Sequence, residues 1–130
     1  MSIRITKKAG GTSYANPFIG PVQHPANILV DVSNLTANEV DSKGYLKPGV
    51  PLTKAGVRVA AGFVFGVTIE ATRIAEDNTD LANTPDTFVA VETSGLINRD
   101  IVEDILGRAL TAAEIAGFDA AGSKLALTTT

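Results

Sequence analysis

The side chains in this sequence that could do chemistry are few and thinly spread. His24 is the one histidine, set between Gln23 and Pro25. With no cysteine in the chain, no thiolate can join it in a zinc site. No serine elbow accompanies it as a nucleophile–base pair, so an exposed or contact-making loop role is the plainer reading. Glu76, Asp77, Asn78, Asp80 and Asp86 crowd one stretch. Oxygen ligands at that density could hold calcium, but the central glycine and closing glutamate of an EF-hand loop are missing. Arg99 and Glu103 are four apart and can pair across one helical turn; with Asp104 and Arg108 they read as a solvated helix face. Glu70 and Glu92 fall in strand-like stretches. A glycosidase needs two such carboxylates at a set separation, and a chain without Trp and with two Tyr offers no aromatic sugar platform. Ala61 to Gly66 lacks the glycine spacing and strand-then-helix context of a phosphate loop. These residue types point to a protein that acts through its surface, is not an enzyme, and needs no metal or cofactor.

The elements that must carry that surface are mostly strands. Residues 1–26 are punctuated by Gly10, Gly11, Pro17, Gly20, Pro21 and Pro25, too often for a helix. Yet Ile3, Ile5, Tyr14, Phe18, Ile19 and Val22 are more apolar content than disorder usually carries. Such an arm either orders against a partner or lies on its own domain. Asn27 to Val32 reads as a first strand. Pro48-Gly49 is the type II turn pair, because glycine tolerates the positive φ at the second central position. Pro51 lacks an N–H, which makes Val50 to Leu52 an edge or a bulge. Phe63, Phe65, Val67, Ile69 and Ala71 alternate with polar residues, the period of a half-buried strand. Thr87 to Thr93 is another strand. Asn98 then caps a helix whose Ile101, Val102, Ile105 and Leu106 share a face and whose stop is Gly107. Thr111 and Glu114 form a capping box for a second, very short helix, with Leu110 and Ile115 as its hydrophobic staple and Gly117 as its end. Ser123 to Thr128 closes the chain as a strand. Thr6 to Gly10 resembles Thr53 to Gly56 over too few residues to constitute an internal repeat.

Length bounds the rest. At 130 residues the chain is one domain, with an arm over 1–26 and a β-rich body over 27–130. Aromatics are 5% of residues, so Val, Ile, Leu and Ala must build the core, and further burial at a subunit interface would help it. A net charge of −3 gives no basic excess to neutralise phosphates, which argues against nucleic acid. No apolar run approaches the length of a membrane span. The start, Met1 to Lys8, is charged without a following apolar stretch and does not read as a signal peptide, which suggests synthesis in a cytoplasm.

The order of features then becomes informative. An arm leads to Tyr45-Leu46-Lys47-Pro48-Gly49-Val50-Pro51-Leu52, then to a Gly- and Val-rich stretch from Gly56-Val57 through Ile74. Phe88-Val89-Ala90-Val91 follows and runs into Gly95-Leu96-Ile97-Asn98. Across residues 44–110 this resembles the head decoration, or cement, proteins of tailed bacteriophages, including the lambda-type group. The resemblance implies a mainly β fold with a minor α component: a small β-barrel or β-tulip-like body with one or two short helices. It implies a virion protein on the outside of the capsid, bound to the major capsid protein and homo-oligomeric, with a trimer favoured over a dimer. In that reading Ile3, Ile5, Lys7, Lys8, Tyr14, Phe18 and Ile19 face the capsid. Tyr45, Leu46, Pro48 and Val50 make a capsid or inter-subunit contact, unless they are simply an ordinary turn. The alternatives are a tail- or fibre-associated β domain and a metal-binding ligand-recognition module built on the 76–86 loop.

Overall fold

The computed structural model describes residues 14–128. Nine strands appear there: β1 (Phe18–Ile19), β2 (Pro25–Val30), β3 (Tyr45–Leu46), β4 (Pro51–Leu52), β5 (Gly66–Thr68), β6 (Thr72–Arg73), β7 (Thr87–Glu92), β8 (Ser94–Asn98) and β9 (Lys124–Thr128). Helices α1 (Arg99–Leu106) and α2 (Ala112–Asp119) separate the last two. Among the described residues strand exceeds helix, 31% against 19%, so the fold is mainly β. The strands form three open sheets, ordered β2-β7-β5-β4, β1-β8-β9 and β3-β6. The barrel expected from the resemblance is therefore not closed. Closure needs tilted strands in continuous register, whereas five of these strands are only two or three residues long.

The β2–β7 pair is the longest ladder, in register from Pro25↔Glu92 to Val30↔Thr87. β2 starts two residues earlier than the sequence suggests, because proline is tolerated at the first position of an edge strand. It stops at Val30, where Asp31 turns the chain into a 3-10 turn by accepting the Ser33 N–H. Ile28, Val30, Val89 and Val91 point to the core. The long strand expected from Phe63 to Ala71 is not formed. Gly66 to Thr68 alone is strand, and all three residues are buried, so both faces of β5 are covered and alternation carries no meaning there. Gly66 has no Cβ because one would strike Val91 Cγ2 at about 2.5 Å.

The turn at Pro48-Gly49 forms as expected, with Gly49 at φ 88°. Its groups are satisfied by a residue far along the chain. Thr68 Oγ1 donates to the Lys47 carbonyl at 2.7 Å and accepts from the Val50 N–H at 2.9 Å, so a buried hydroxyl bridges the turn.

β8 and β9 are parallel, which requires a crossover; α1 and α2 supply it. Asn98 Oδ1 accepts the Ile101 N–H, and Gly107 closes α1 at φ 69°, both as the sequence indicates. Thr111 and Glu114 form the reciprocal capping box of α2. Gly117, however, does not end α2. It is buried inside the helix, where an added Cβ would lie 2.9 Å from Val59 Cγ1 and 3.1 Å from Val64 Cγ2. Its carbonyl accepts the Val64 N–H. That glycine sets the distance between helix and neighbouring chain, and the helix runs on to Asp119.

Candidate functional surface

The described part of the expected arm lies on its own domain. β1 pairs antiparallel with β8, Phe18 opposite Ile97 and Ile19 opposite Leu96. The Asn98 N–H donates to the Pro17 carbonyl, and Tyr14 Oη donates to Asp41 Oδ2 at 2.6 Å. A carboxylate anchors the end of this segment. Glu92, 2% exposed, accepts the Gln23 N–H at 2.7 Å and the His24 N–H at 2.8 Å. The His24 carbonyl in turn accepts from Thr93 Oγ1. His24 thus serves through its backbone and is itself an exposed residue. Glu92 is engaged by backbone donors, while Glu70 is less buried, so the two carboxylates occupy different environments.

Of the residues assigned to partner contact, Ile3, Ile5, Lys7 and Lys8 lie outside the described residues. Tyr14 and Phe18 are half-buried against the body. Ile19 is exposed. Tyr45 is half-buried in the β3–β6 pair. Leu46, Pro48 and Val50 are buried, and Leu46 and Val50 belong to the hydrophobic core. The turn of which they form part faces inward, so within one copy of the chain these three side chains pack the body.

Apart from Val22, in the link before β2, the large exposed apolar residues of the described part, Ile19 among them, lie on the outer faces of the sheets. Strand alternation sends Leu29 away from Ile28 and Val30, and Phe88 away from Val89. Register places the two directly opposite each other, with Ala90, also exposed, two residues along. Phe88 is 68% exposed and Leu29 45%. A second pair, Ile19 opposite Leu96, repeats the arrangement on the β1–β8 ladder, at 43% and 47% exposed. Single exposed apolar residues are ordinary. Cross-strand pairs in register are different, because opposite side chains about 5 Å apart present one joined apolar face. The sequence places Leu29 and Phe88 in strand runs, and only the register and packing fix which face of each is inside.

Of the acidic stretch, Glu76, Asp77 and Asp80 line an open cleft of about 550 Å³ with Arg73, Ile74, Asn83 and Pro85. Two of its carboxylates are engaged locally. Asp77 Oδ1 accepts from Thr79 Oγ1 at 2.6 Å and from the Thr79 N–H at 2.9 Å, which holds its carboxyl below the usual range. Asp80 Oδ1 accepts from Asn83, and Asn78 donates to the Val40 carbonyl. Among the described residues no group of three or more histidine, aspartate or glutamate side chains gathers where it could hold a metal ion.

The strongest electrostatic feature is structural. Arg108 Nη1 and Nη2 reach Glu114 at 2.8 and 3.1 Å, and Nη2 also reaches Glu39 at 3.0 Å. The bonds to Glu114 foremost, then to Glu39, hold the guanidinium above its ordinary range. Glu39 and Glu114 are 0% and 2% exposed. Each belongs to the same local motif: Leu35-Thr36-Ala37-Asn38-Glu39-Val40 matches Leu110-Thr111-Ala112-Ala113-Glu114-Ile115. In both, the glutamate accepts the N–H of the threonine three residues before it. The same threonine–glutamate turn thus occurs twice, and Arg108 joins the two glutamates. The threonine–glutamate spacing is visible at both places, but only the second precedes a helix.

No family model matches this chain, and no curated protein or solved structure matches it either.

Proposed function

We propose that this protein is a non-catalytic structural component of a virion, a decoration protein that binds the outer surface of a phage head and bridges neighbouring major capsid subunits. The order of features across residues 44–110 supports the family, and the exposed Leu29–Phe88 pair carries the reading of how it binds. A partner that covers Phe88 removes most of an aromatic side chain from water, a gain of roughly 1.5–3 kcal/mol for one residue. Repetition of that contact over a lattice multiplies a modest affinity. Bridging then stabilises the shell because opening it requires breaking the added contacts. Homo-oligomers, a trimer before a dimer, would present several such faces at once.

The test is co-sedimentation with expanded, undecorated heads. The intact protein should pellet with them. The double variant Leu29→Ser, Phe88→Ser should stay in the supernatant while melting within a few degrees of the parent, since both side chains are exposed. If the intact protein does not pellet, the decoration reading is wrong. If the variant pellets as well as the parent, the contact lies elsewhere.

A further inference from the structure

An open sheet edge is a row of unpaired N–H and C=O groups, and what matches such a row is another extended backbone. Most edges of this body are closed. β2 begins at Pro25, which has no N–H, and near its other end Gly56 packs so closely on the Leu29 carbonyl that a Cβ there would strike it. β4 is two residues long, contains Pro51 and meets Arg58 through an isolated bridge at Leu52. β1, β3 and β6 are also two residues long. β9 is different. It is the outer strand of the β1-β8-β9 sheet, runs for five residues and holds neither proline nor glycine.

The direction of its backbone groups follows from the neighbouring strands. Asn98 gives its N–H to the Pro17 carbonyl, on the β1 side of β8. Backbone groups alternate sides along a strand, so those of Gly95 and Ile97 turn toward β9, where the parallel register presents Lys124, Ala126 and Thr128 to them. Leu125 and Leu127 therefore direct their N–H and C=O groups to the open side. Those of Leu125 meet the Ser123 hydroxyl at 3.4 and 3.5 Å. Those of Leu127 meet no hydrogen-bond partner among the described residues. The side chains beside the edge say what fits it. On the inner face, register aligns Phe18, Ile97 and Leu127 in one row, and Leu127 at its end is half-buried. On the outer face it aligns Ile19, Leu96 and Ala126, all exposed. Ala126 is small, so a large neighbour can lean across it toward Leu96. Lys124, on that same outer face, is exposed and forms no ion pair among the described residues.

We propose that β9 is a docking edge for an extended segment of a partner protein. The segment adds antiparallel and reads β-branched, aromatic, β-branched, acidic opposite Leu127, Ala126, Leu125 and Lys124. Its two β-branched residues exchange N–H···O bonds with Leu127 and Leu125 and lengthen the rows of the inner face. Its aromatic ring crosses Ala126, and its carboxylate faces Lys124. The edge lies apart from the Leu29–Phe88 pair, and the proposal stands independently of the decoration reading.

The test is a titration of the nitrogen-15-labelled chain with a peptide whose core is valine–phenylalanine–valine–glutamate. Shifts should saturate at one peptide per chain and centre on Leu125 to Leu127, and exchange of the Leu127 amide should slow several-fold. Methylation of either valine nitrogen removes a bond to β9 and should abolish binding, whereas methylation of the phenylalanine nitrogen, which faces away, should leave it. Lys124→Glu should turn the preference from a peptide ending in glutamate to one ending in lysine. Absence of saturable binding overturns the proposal, as do shifts centred on another strand or an equal effect of all the methylations. A Leu127 amide already slow to exchange in the free chain overturns it too: slowing that grows with protein concentration means that a second copy holds the edge, and slowing that does not means that the chain closes it itself.

Discussion

Removal of Arg108 is the sharpest test of how this body is held together. Arg108→Met keeps the bulk of the stem and strips the guanidinium from Glu39 and Glu114, three charge-assisted bonds in all. Glu39 keeps its bonds from Thr36 and a longer-range attraction to Lys47, and Glu114 keeps the Thr111 N–H, but neither carboxylate retains a hydrogen-bonded counter-charge. Removing one partner of a buried pair costs about 3–5 kcal/mol, mostly because a charge is stranded. Arg108 is itself 22% exposed, so water can reach part of the site and the lower end, about 3 kcal/mol, is expected. Against a total stability of about 5–15 kcal/mol this is a large loss, and it should lower the melting temperature by roughly 10 °C. Urea unfolding followed by circular dichroism measures it directly. The companion variant adds Glu39→Gln and Glu114→Gln, which remove the stranded charges and keep the shape, and it should recover a substantial part of the loss. A deficit below about 1 kcal/mol, the level of a surface pair, would show that the cluster is solvated and refute the argument. A triple variant no more stable than Arg108→Met would refute it too.

Gly117→Ala gains about 1 kcal/mol of helix propensity but drives a Cβ against Val59 and Val64; overpacking of about 1–3 kcal/mol should win, read as a lower urea midpoint. Thr68→Val removes the hydroxyl that bridges Lys47 and Val50 and leaves a buried N–H and carbonyl with one partner fewer, a loss of about 1–3 kcal/mol by the same assay. Glu103 is held below the ordinary glutamate value of 4.5 by the Leu110 N–H first and then by Arg99. Its folded-state value is the lower one, so its contribution is present above about pH 4.5 and fades as pH falls through the folded value. Unfolding of Glu103→Gln and the parent at pH 7 and pH 3 should show a gap that narrows on acidification; a constant gap would contradict the assignment. Deletion of residues 2–20 removes β1 and the Tyr14 bond, so the melting temperature should fall, whereas a free arm would leave it unchanged.

The parts of this protein that were legible in the sequence are those in which a residue's partners lie within one turn of it. Asn98, Gly107 and the Thr111–Glu114 box each satisfy or release a backbone group within a few positions, and Gly49 takes the positive φ that its own two-residue turn demands, so local chemistry alone settled them. The β2 and β7 runs were legible for a related reason, since β-branched residues mark a strand whatever it pairs with. The closed barrel and the long strand at Phe63 to Ala71 gave way to pairings between residues far apart in the chain, and pairings of the same kind lay Tyr14 to His24 along the body. Gly117 looked like a helix stop because its neighbours across the interface, Val59 and Val64, lie more than fifty positions away. Leu46 and Val50 read as a contact surface for want of Thr68, and the faces of Leu29 and Phe88 within their strands were set only by register. Alternation in a sequence says that two faces differ; only the packing of one sheet against the rest of the chain decides which face meets water, and on that choice rests the surface this protein offers to a partner.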